Sequence, residues 1–130
     1  MLENRNADAD KIEIFKCSLN RIIPEKGMCE VIEDYPSLII QLQGKTPDEL
    51  DLYFELNLLT LSSARILSYY IAKKYIGRGI GSKIYSAIES YLMSCGIKTV
   101  DLYNVRPERR QFWKRNGYVQ PSATWTKRLQ

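Results

Sequence analysis

Three alternating glycines, Gly77, Gly79 and Gly81, constrain the fold of this chain more than any other feature. Residues 69–73, just before them, are rich in the aromatic and β-branched side chains that are typical of a strand. An apolar repeat at helical spacing follows and comprises Ile80, Ile84, Ala87, Ile88, Tyr91, Leu92 and Cys95. Gly96 then stands where a helix commonly ends. The sequence therefore predicts a strand, a glycine turn and a helix in succession.

The glycine turn has the properties of an anion-binding site. Glycine adopts positive φ without steric cost and lets the backbone approach a ligand closely. The turn precedes a helix, whose first N–H groups have no partner within the helix and whose dipole favours negative charge. The alternative is a tight connection without a ligand, although three glycines alternating with Arg78 and Ile80 exceed what a turn needs.

Two common phosphate-binding motifs do not fit this turn. A P-loop requires four residues between its first glycine and a Gly-Lys pair, and that spacing is absent here. The dinucleotide pattern GxGxxG has Ser82 in place of its last glycine. The next acidic residue on a predicted strand, Asp101, lies inside that strand, and 130 residues are too few for a dinucleotide fold.

Composition indicates one globular domain and excludes several classes of enzyme. The chain is 45% hydrophobic and 26% charged, and no apolar run approaches the roughly 18 residues of a membrane span. It contains no histidine, which excludes Ser-His and Cys-His triads and histidine-ligated metals. Acid–base chemistry is left to carboxylates, tyrosine or water. We expect residues 1–9, which are polar and aperiodic, to be a flexible tail, and residues 10–130 to form the single domain.

Cysteine usage and the first residues indicate a cytoplasmic protein. Three cysteines, Cys17, Cys29 and Cys95, are an odd number without metal-ligand spacing, so we expect free thiols in a reducing compartment. The segment MLENRNADAD has no apolar signal core.

Alternating apolar residues predict a sheet that is mostly antiparallel. The predicted strands ahead of the glycine turn are Lys11–Cys17, Met28–Ile32, Ser37–Gln43 and Leu50–Leu58, with turns at Pro24–Gly27 and Lys45–Asp48. After the helix, strands are predicted at Thr99–Tyr103 and around Ala123–Leu129.

A short basic helix is predicted between the last two strands. Pro107 suits its first turn and the Asn116-Gly117 pair suits its end. Its cations are Arg106, Arg109, Arg110, Lys114 and Arg115. Together with Phe112 and Trp113 they would permit nucleic-acid binding through phosphate contacts and stacking. We prefer the alternative, in which the two aromatic side chains face the core and the cations are solvated, so a nucleic-acid partner is not expected.

Two segments of the chain resemble the GCN5-related N-acetyltransferase (GNAT) family. That family carries Arg/Gln-x-x-Gly-x-Gly/Ala between its fourth strand and third helix, and residues 76–81 match it, with Ile76 in place of the Arg or Gln. The block Phe112-Trp113-x-x-x-Gly117-Tyr118 is similar to a second signature of the family. The resemblance covers roughly residues 50 to 129 and implies a GNAT-like mixed α/β fold with helices flanking the sheet.

The resemblance also implies an activity and a cofactor site. It implies transfer of an acetyl group from acetyl-CoA, as co-substrate, to a primary amine of a small molecule or peptide by direct attack on the thioester. The residues implied to pair with the pantetheine arm through their backbone are Tyr69, Tyr70 and Ile71. The residues implied to hold the pyrophosphate are Gly77, Arg78, Gly79, Ile80, Gly81 and Ser82, with a charge contact from Arg78.

The resemblance is less specific about the catalytic residues than about the cofactor site. The family often protonates the leaving thiolate with a tyrosine at the position of Trp113, whose indole cannot act as an acid, so water or Tyr103 would have to serve. Asp101 and Glu55 are equal candidates for the base, and each has the alternative of an ordinary surface carboxylate. The two helices that the family usually places between its first two strands are not apparent, so the acceptor site is expected to be more open or to be completed by a second copy in a homodimer.

Charge is divided unevenly along the chain. Residues 1–65 contain 7 Lys and Arg against 12 Asp and Glu, a balance of −5, whereas residues 66–130 contain 12 against 3, a balance of +9. A basic half suits a polyanion such as coenzyme A or a nucleic acid, and an acidic half suits a cationic amine. A non-catalytic acyl-CoA-binding module stays open as a second hypothesis, because Ile76 and Trp113 depart from the family pattern.

Overall fold

The computed structural model describes residues 5–23, 28–44, 49–120 and 124–129. Within them the chain forms three helices and one six-stranded sheet. The helices are α1 (Arg5–Ile22), α2 (Ile80–Ser94) and α3 (Arg110–Arg115), and the strands are β1 (Cys29–Asp34), β2 (Ser37–Gln43), β3 (Leu50–Leu58), β4 (Ser63–Ile71), β5 (Thr99–Leu102) and β6 (Trp125–Arg128). Short 3₁₀ turns at Lys73–Tyr75 and Pro107–Arg109 precede α2 and α3.

The strands lie in the order in which they occur along the chain, β1-β2-β3-β4-β5-β6. Neighbouring strands are antiparallel except for β4 and β5, which are parallel because α2 connects them. This arrangement confirms the predicted mixed, mostly antiparallel sheet flanked by helices. The β4–β5 pairing runs only from Ser63 to Ile66, so the last residues of β4, up to Ile71, continue without β5 beside them.

One face of the sheet carries the core. Leu52, Phe54 and Leu56 of β3 are completely buried, and they face α1 and α2. The rings of Phe15 on α1 and Tyr91 on α2 pack with centroids 5.3 Å apart, which closes this layer. The opposite face, which we call the open face, carries the alternate residues of β3 (Tyr53, Glu55 and Asn57) and is partly exposed.

The predicted strand at Lys11–Cys17 is wrong, because these residues belong to α1. The alternation of Ile12 and Ile14 misled the prediction, since Ile14 is 67% exposed. Phe15 and Leu19, four residues apart, supply the buried stripe of a helix instead. Helix α1 also includes residues 5–9 of the predicted tail, whose mobility stays a prediction, and residues 1–4 lie outside the described chain.

Most other element predictions are confirmed, with shifted ends. Strand β4 begins at Ser63, well before the predicted residue 69, and the basic helix is divided into a 3₁₀ turn and the six-residue α3. Cys95, predicted on the apolar face of α2, is exposed at the end of that helix. The predicted turns at 24–27 and 45–48, and Ala123 of the last strand, lie outside the described residues.

No pair of helices separates β1 from β2, because only Tyr35 and Pro36 connect them. Helix α1 precedes β1 instead. Across the part of the chain that is described, no helix has the length and apolar character needed to span a bilayer.

Candidate functional site

The glycine turn between β4 and α2 adopts a conformation that only glycine takes easily. Gly77 has φ = 82° and Gly79, which caps α2, has φ = 73°. A Cβ at either position would meet no other atom within 4 Å, so the backbone here faces open space. Glycine is therefore required for its positive φ, and the exposed main chain leaves the first N–H groups of α2 accessible to a ligand.

A cleft of about 690 Å³ opens beside this turn. Its lining includes Gly77, Gly79, Gly81 and Ser82 from the predicted pyrophosphate site and Ile71 from the predicted pantetheine site. The opposite wall comes from the segment that leads into α3 and comprises Arg106, Glu108, Arg109, Gln111, Phe112 and Arg115. Three arginines against one glutamate give the wall a positive balance, which suits an anion beside the helix N-terminus.

Arg78 and Ile80 are placed differently from the other predicted residues of the turn. The Arg78 guanidinium donates to the Lys74 carbonyl at 3.3 Å, which closes the turn on itself rather than extending into the cleft. Ile80 packs against the core. Ser82 lines the cleft, and its hydroxyl accepts a hydrogen bond from the Asn116 side chain at 3.2 Å.

A second cleft of about 270 Å³ lies where β4 and β5 cease to pair. It is lined by Ser68, Tyr69 and Tyr70 of β4, by Leu102 at the end of β5 and by residues 103–106 that follow it. Arg106 and Arg109 line both clefts, so the two form adjoining parts of one site. The predicted pantetheine residues therefore lie at a strand edge that β5 leaves uncovered.

A β-bulge bends β4 at this point. Glu55 pairs with Ser68 and Leu56 pairs with Ile66, so Leu67 is an extra residue in β4. Bulges re-aim the residues beside them and are common next to active sites. Here the bulge follows the last pairing with β5, which is the point where the second cleft begins.

The side chains of Tyr69 and Tyr70 lie on opposite faces of the sheet. The Tyr69 side chain packs among Phe54, Tyr85 and Phe112, and burial raises the pKa of its hydroxyl. Tyr70 lies 47% exposed and faces the second cleft and the open face, directly across from Tyr53 of β3. Of these two side chains, only that of Tyr70 is available to a ligand on the open face.

The predicted catalytic residues are only partly brought together. Tyr103 is 60% exposed and lines the second cleft. Asp101 does not belong to that lining and forms an ion pair with Arg65 at 3.6 Å. Glu55 is also outside the lining, but it pairs across the strands with Ser68, which belongs to it, and accepts a hydrogen bond from the Tyr53 hydroxyl at 2.8 Å.

Trp113 is buried, as we expected of the aromatic residues of the basic helix. Its ring packs perpendicular to that of Tyr85, with centroids 5.2 Å apart, and also against Phe112 and Tyr118. The hydroxyls of Tyr85 and Tyr118 are hydrogen-bonded to each other beneath it. Trp113 therefore closes the inner end of the second cleft as an apolar wall.

Sequence reasoning missed the arginines of the cleft. Arg106 and Arg115 are exposed, as predicted for solvated charges of the helix, but together with the half-buried Arg109 they also line the walls of the site, which was not predicted. The signal that could have found them is Pro107, which begins a 3₁₀ turn five residues after the end of β5 and so places these arginines in a new turn close to the strand end.

Solved structures with this fold define the class of protein. An acetyltransferase of the GNAT family from Staphylococcus aureus Mu50 is 13% identical, with a TM-score of 0.60 over 73% of this chain and 69% of that one. The PaiA N-acetyltransferase from Thermoplasma acidophilum, solved in complex with coenzyme A, is 19% identical, with a TM-score of 0.57 over 72% of this chain and 61% of that one. An aminoglycoside 6'-N-acetyltransferase complexed with coenzyme A is 14% identical, with a TM-score of 0.55 over 73% and 74%. The fold is that of the acetyltransferases.

A sequence model of the acetyltransferase (GNAT) family matches residues 48–118, which include β3, the glycine turn and α3. The chain belongs to this family, and the resemblance drawn from residues 76–81 and 112–118 is confirmed. No curated protein matches the sequence.

Proposed function

We propose that this protein is an acetyl-CoA-dependent N-acetyltransferase that acts on a primary amine of a small molecule or peptide. The observation that carries this proposal is the left-handed backbone of Gly77 and Gly79, which opens the N-terminus of α2 toward a cleft walled by arginines. Two solved structures that share the fold are complexes with coenzyme A, which supports the same ligand here.

The residues present suit coenzyme A. Its pyrophosphate would be held by main-chain N–H groups of residues 77–82, with no side chain at Gly77 or Gly79 to obstruct it. Arg106 and Arg109 line both clefts and would stabilise its negative charge. The main-chain groups of Tyr69 and Tyr70, at the edge of β4 that lacks a partner, would pair with the pantetheine amides. When acetylated, the cofactor supplies a thioester.

Of the two candidate bases, we favour Glu55. Its strand neighbour Ser68 lines the second cleft, so Glu55 lies one strand spacing, about 5 Å, from that cleft. The Tyr53 hydroxyl holds its carboxylate in place. From the sequence, Asp101 is an equal candidate for the base, but in the structure its carboxylate is paired with Arg65. Glu55 would take a proton from the attacking amine, directly or through water.

Tyr103 is the proposed proton donor to the leaving thiolate. It lies on the lining of the second cleft, and its position there supports the role that Trp113 cannot fill. A thiol with an ordinary pKa near 8.5 is already a fair leaving group at neutral pH, so Tyr103 would accelerate the reaction without being essential. We therefore expect Tyr103→Phe to lower kcat by about tenfold or less.

The experiment that tests this function measures binding and turnover separately. Acetyl-CoA should raise the melting temperature of the protein by mass action on the folded state, and release of free thiol should follow in a panel of polyamines, aminoglycosides, amino acids and peptides. Binding without thiol release across the panel would favour a non-catalytic acyl-CoA-binding module. No thermal shift at millimolar acetyl-CoA would contradict both functions.

The assembly and location of the protein belong to this proposal as well. No helix lies between β1 and β2 in the described chain, so a second copy could complete the acceptor site in a homodimer. Sedimentation at micromolar concentration tests this directly. The cytoplasmic location expected from the cysteines stays a prediction, and so does the expectation that nucleic acid is not a partner.

A further inference from the structure

The most deeply buried charged side chain among the described residues belongs to Asp51, which is 3% exposed. It lies in β3, beside the end of β4, and is not itself among the residues predicted to hold coenzyme A. Burial of a carboxylate destabilises the fold unless partners compensate its charge. Asp51 has two such partners, and both come from the 3₁₀ turn that leads into the glycine turn. The position of this carboxylate therefore requires an explanation beyond packing.

Asp51 is directed toward that turn by an irregularity of the sheet. Leu42 pairs with Leu52 and Gln43 pairs with Leu50, so Asp51 is an extra residue in β3. Such a bulge changes the direction of the extra side chain. Gly44 leaves room for it, because a Cβ at Gly44 would lie 2.9 Å from Asp51 Oδ1.

The two carboxylate oxygens hold consecutive residues of the turn. The Tyr75 hydroxyl donates to Asp51 Oδ2 at 2.9 Å, and Lys74 Nζ lies 3.2 Å from Asp51 Oδ1. The ammonium of Lys74 also lies over the Tyr75 ring, 5.2 Å from its centroid. The main chain adds a third contact, in which the Ala72 N–H donates to the Asp51 carbonyl at 2.9 Å.

These contacts continue directly into the cofactor cleft. The Tyr75 ring lines the cleft beside Gly77 and Gly79, and the Lys74 carbonyl accepts the hydrogen bond from Arg78. Few other bonds hold this segment: within the 3₁₀ turn, Tyr75 N–H donates to Ala72 and Ile76 N–H donates to Lys73. The glycines lower the rigidity of the chain that follows, because glycine has the most backbone freedom to lose.

We propose that Asp51 is a positioning residue that holds the Lys74–Tyr75 turn, and through it the glycine turn, in the conformation that accepts the pyrophosphate of coenzyme A. The inference rests on the proposed function. Asp51 does not touch the ligand. It acts by keeping the binding-competent conformation populated, and loss of its contacts weakens binding in proportion to the fraction of molecules that leave that conformation.

The test uses Tyr75→Phe and Asp51→Asn in the full chain, with Tyr35→Phe as the matched control. Tyr35 lies 75% exposed in the turn between β1 and β2, so its substitution makes the same chemical change away from the contacts of Asp51 with Lys74 and Tyr75, which we call the clamp. Losing the hydrogen bond to a carboxylate should raise the KM for acetyl-CoA about tenfold, with kcat unchanged, in both clamp variants. A fall in kcat at unchanged KM would overturn the proposal.

A second measurement tests, without the ligand, whether Asp51 holds the turn. Hydrogen exchange at the hydrogen-bonded amides of Tyr75 and Ile76 should accelerate by at least the factor by which the KM rises, because exchange reports the opening of the turn directly and the KM reports the fraction that stays closed. Unchanged exchange in Tyr75→Phe would overturn the clamp. If wild-type protein bound no acetyl-CoA, the proposed function would fail, while the exchange rates would still support or overturn the role of Asp51 in holding the turn.

Lys74 and Lys73 provide a comparison at constant charge. Lys74→Met and Lys73→Met remove the same charge beside the cleft, but only Lys74 pairs with Asp51 among the contacts described for these two residues. Long-range attraction of the anionic cofactor falls equally in the two variants. Faster amide exchange in Lys74→Met than in Lys73→Met supports the clamp, and equal exchange contradicts a contribution from this ion pair.

Discussion

The Tyr69 hydroxyl donates a hydrogen bond to the Gly81 carbonyl at 2.8 Å and thereby ties β4 to the first turn of α2 across the glycine turn. The two residues belong to different parts of the proposed cofactor site, Tyr69 to the strand beside the pantetheine arm and Gly81 to the pyrophosphate turn. Burial raises the pKa of this hydroxyl, so it remains a proton donor throughout the neutral range. The bond fixes the distance between the two halves of the site.

Tyr69→Phe should lower the free energy of unfolding by about 1 kcal/mol, because it removes one buried hydrogen bond and leaves the ring in place. Urea denaturation measures the free energy of unfolding. An unchanged m-value would show that the loss of stability does not come from a change in the denatured state. The KM for acetyl-CoA should rise as well, since the turn loses one of its attachments. A variant as stable as wild type would show that this bond adds nothing to the fold.

Substitution of Gly79 should act through backbone strain alone. Gly79→Ala forces an L-residue into the left-handed region, which costs about 1–2 kcal/mol, although its Cβ would meet no atom within 4 Å. Asparagine tolerates this region better, so Gly79→Asn should retain more stability and more affinity for acetyl-CoA than Gly79→Ala. Calorimetric titration with acetyl-CoA checks the order, and equal losses in the two variants would point to a steric cause.

Arg109 and Arg110 are adjacent arginines with different surroundings. Arg109 lines both clefts, whereas Arg110 belongs to neither lining. Arg109→Met should therefore raise the KM for acetyl-CoA about tenfold, as expected for the loss of a charge-assisted contact. Arg110→Met removes the same charge and should change KM by less than about twofold. Equal effects would mean that only the overall field of the basic half attracts the cofactor.

Glu55 and Asp101 can be separated by their amide variants. Glu55→Gln should lower kcat at least about tenfold and remove the acidic limb of the pH–rate profile, since a general base contributes about 10² to 10⁴. Asp101→Asn should leave that limb in place, because the carboxylate that it removes serves Arg65. Steady-state rates between pH 5 and pH 9 make the comparison. Loss of the limb in the Asp101 variant only would assign the base to Asp101.

Stability should fall at alkaline pH. Burial raises the pKa of Tyr69, Tyr85 and Tyr118 above the ordinary value of 10.0, so the folded state keeps protons that the unfolded chain releases. Their contribution is complete below pH 10 and is lost progressively above it. Tyr118→Phe removes one such group and should reduce the slope of unfolding free energy against pH by up to about 1.4 kcal/mol per unit, a limit approached only above pH 10, where the unfolded tyrosine is deprotonated. Urea denaturation at several pH values from 9 to 11 provides the slopes, and parallel profiles for the two proteins would refute the expectation.

Prediction from the sequence was most successful where the local pattern and the tertiary environment agree. The helix after the glycine turn was predicted correctly because Ile84, Ile88 and Leu92 form a stripe that the sheet buries. It failed for α1, where Ile14 is exposed and the residues that enter the core are Phe15 and Leu19. The chance alternation of Ile12 and Ile14 obscured a helix of 18 residues.

The sequence by itself determined the glycine turn, the helix behind it and the family, because these depend on residues that are adjacent in the chain and on backbone freedom that only glycine has. The tertiary structure alone decided that Asp51 holds Tyr75, that Arg106 and Arg109 line the proposed cofactor cleft, and that Asp101 is paired with Arg65. Those contacts join residues that are distant in sequence. They depend on strand register and on two β-bulges, which no local pattern of side chains specifies.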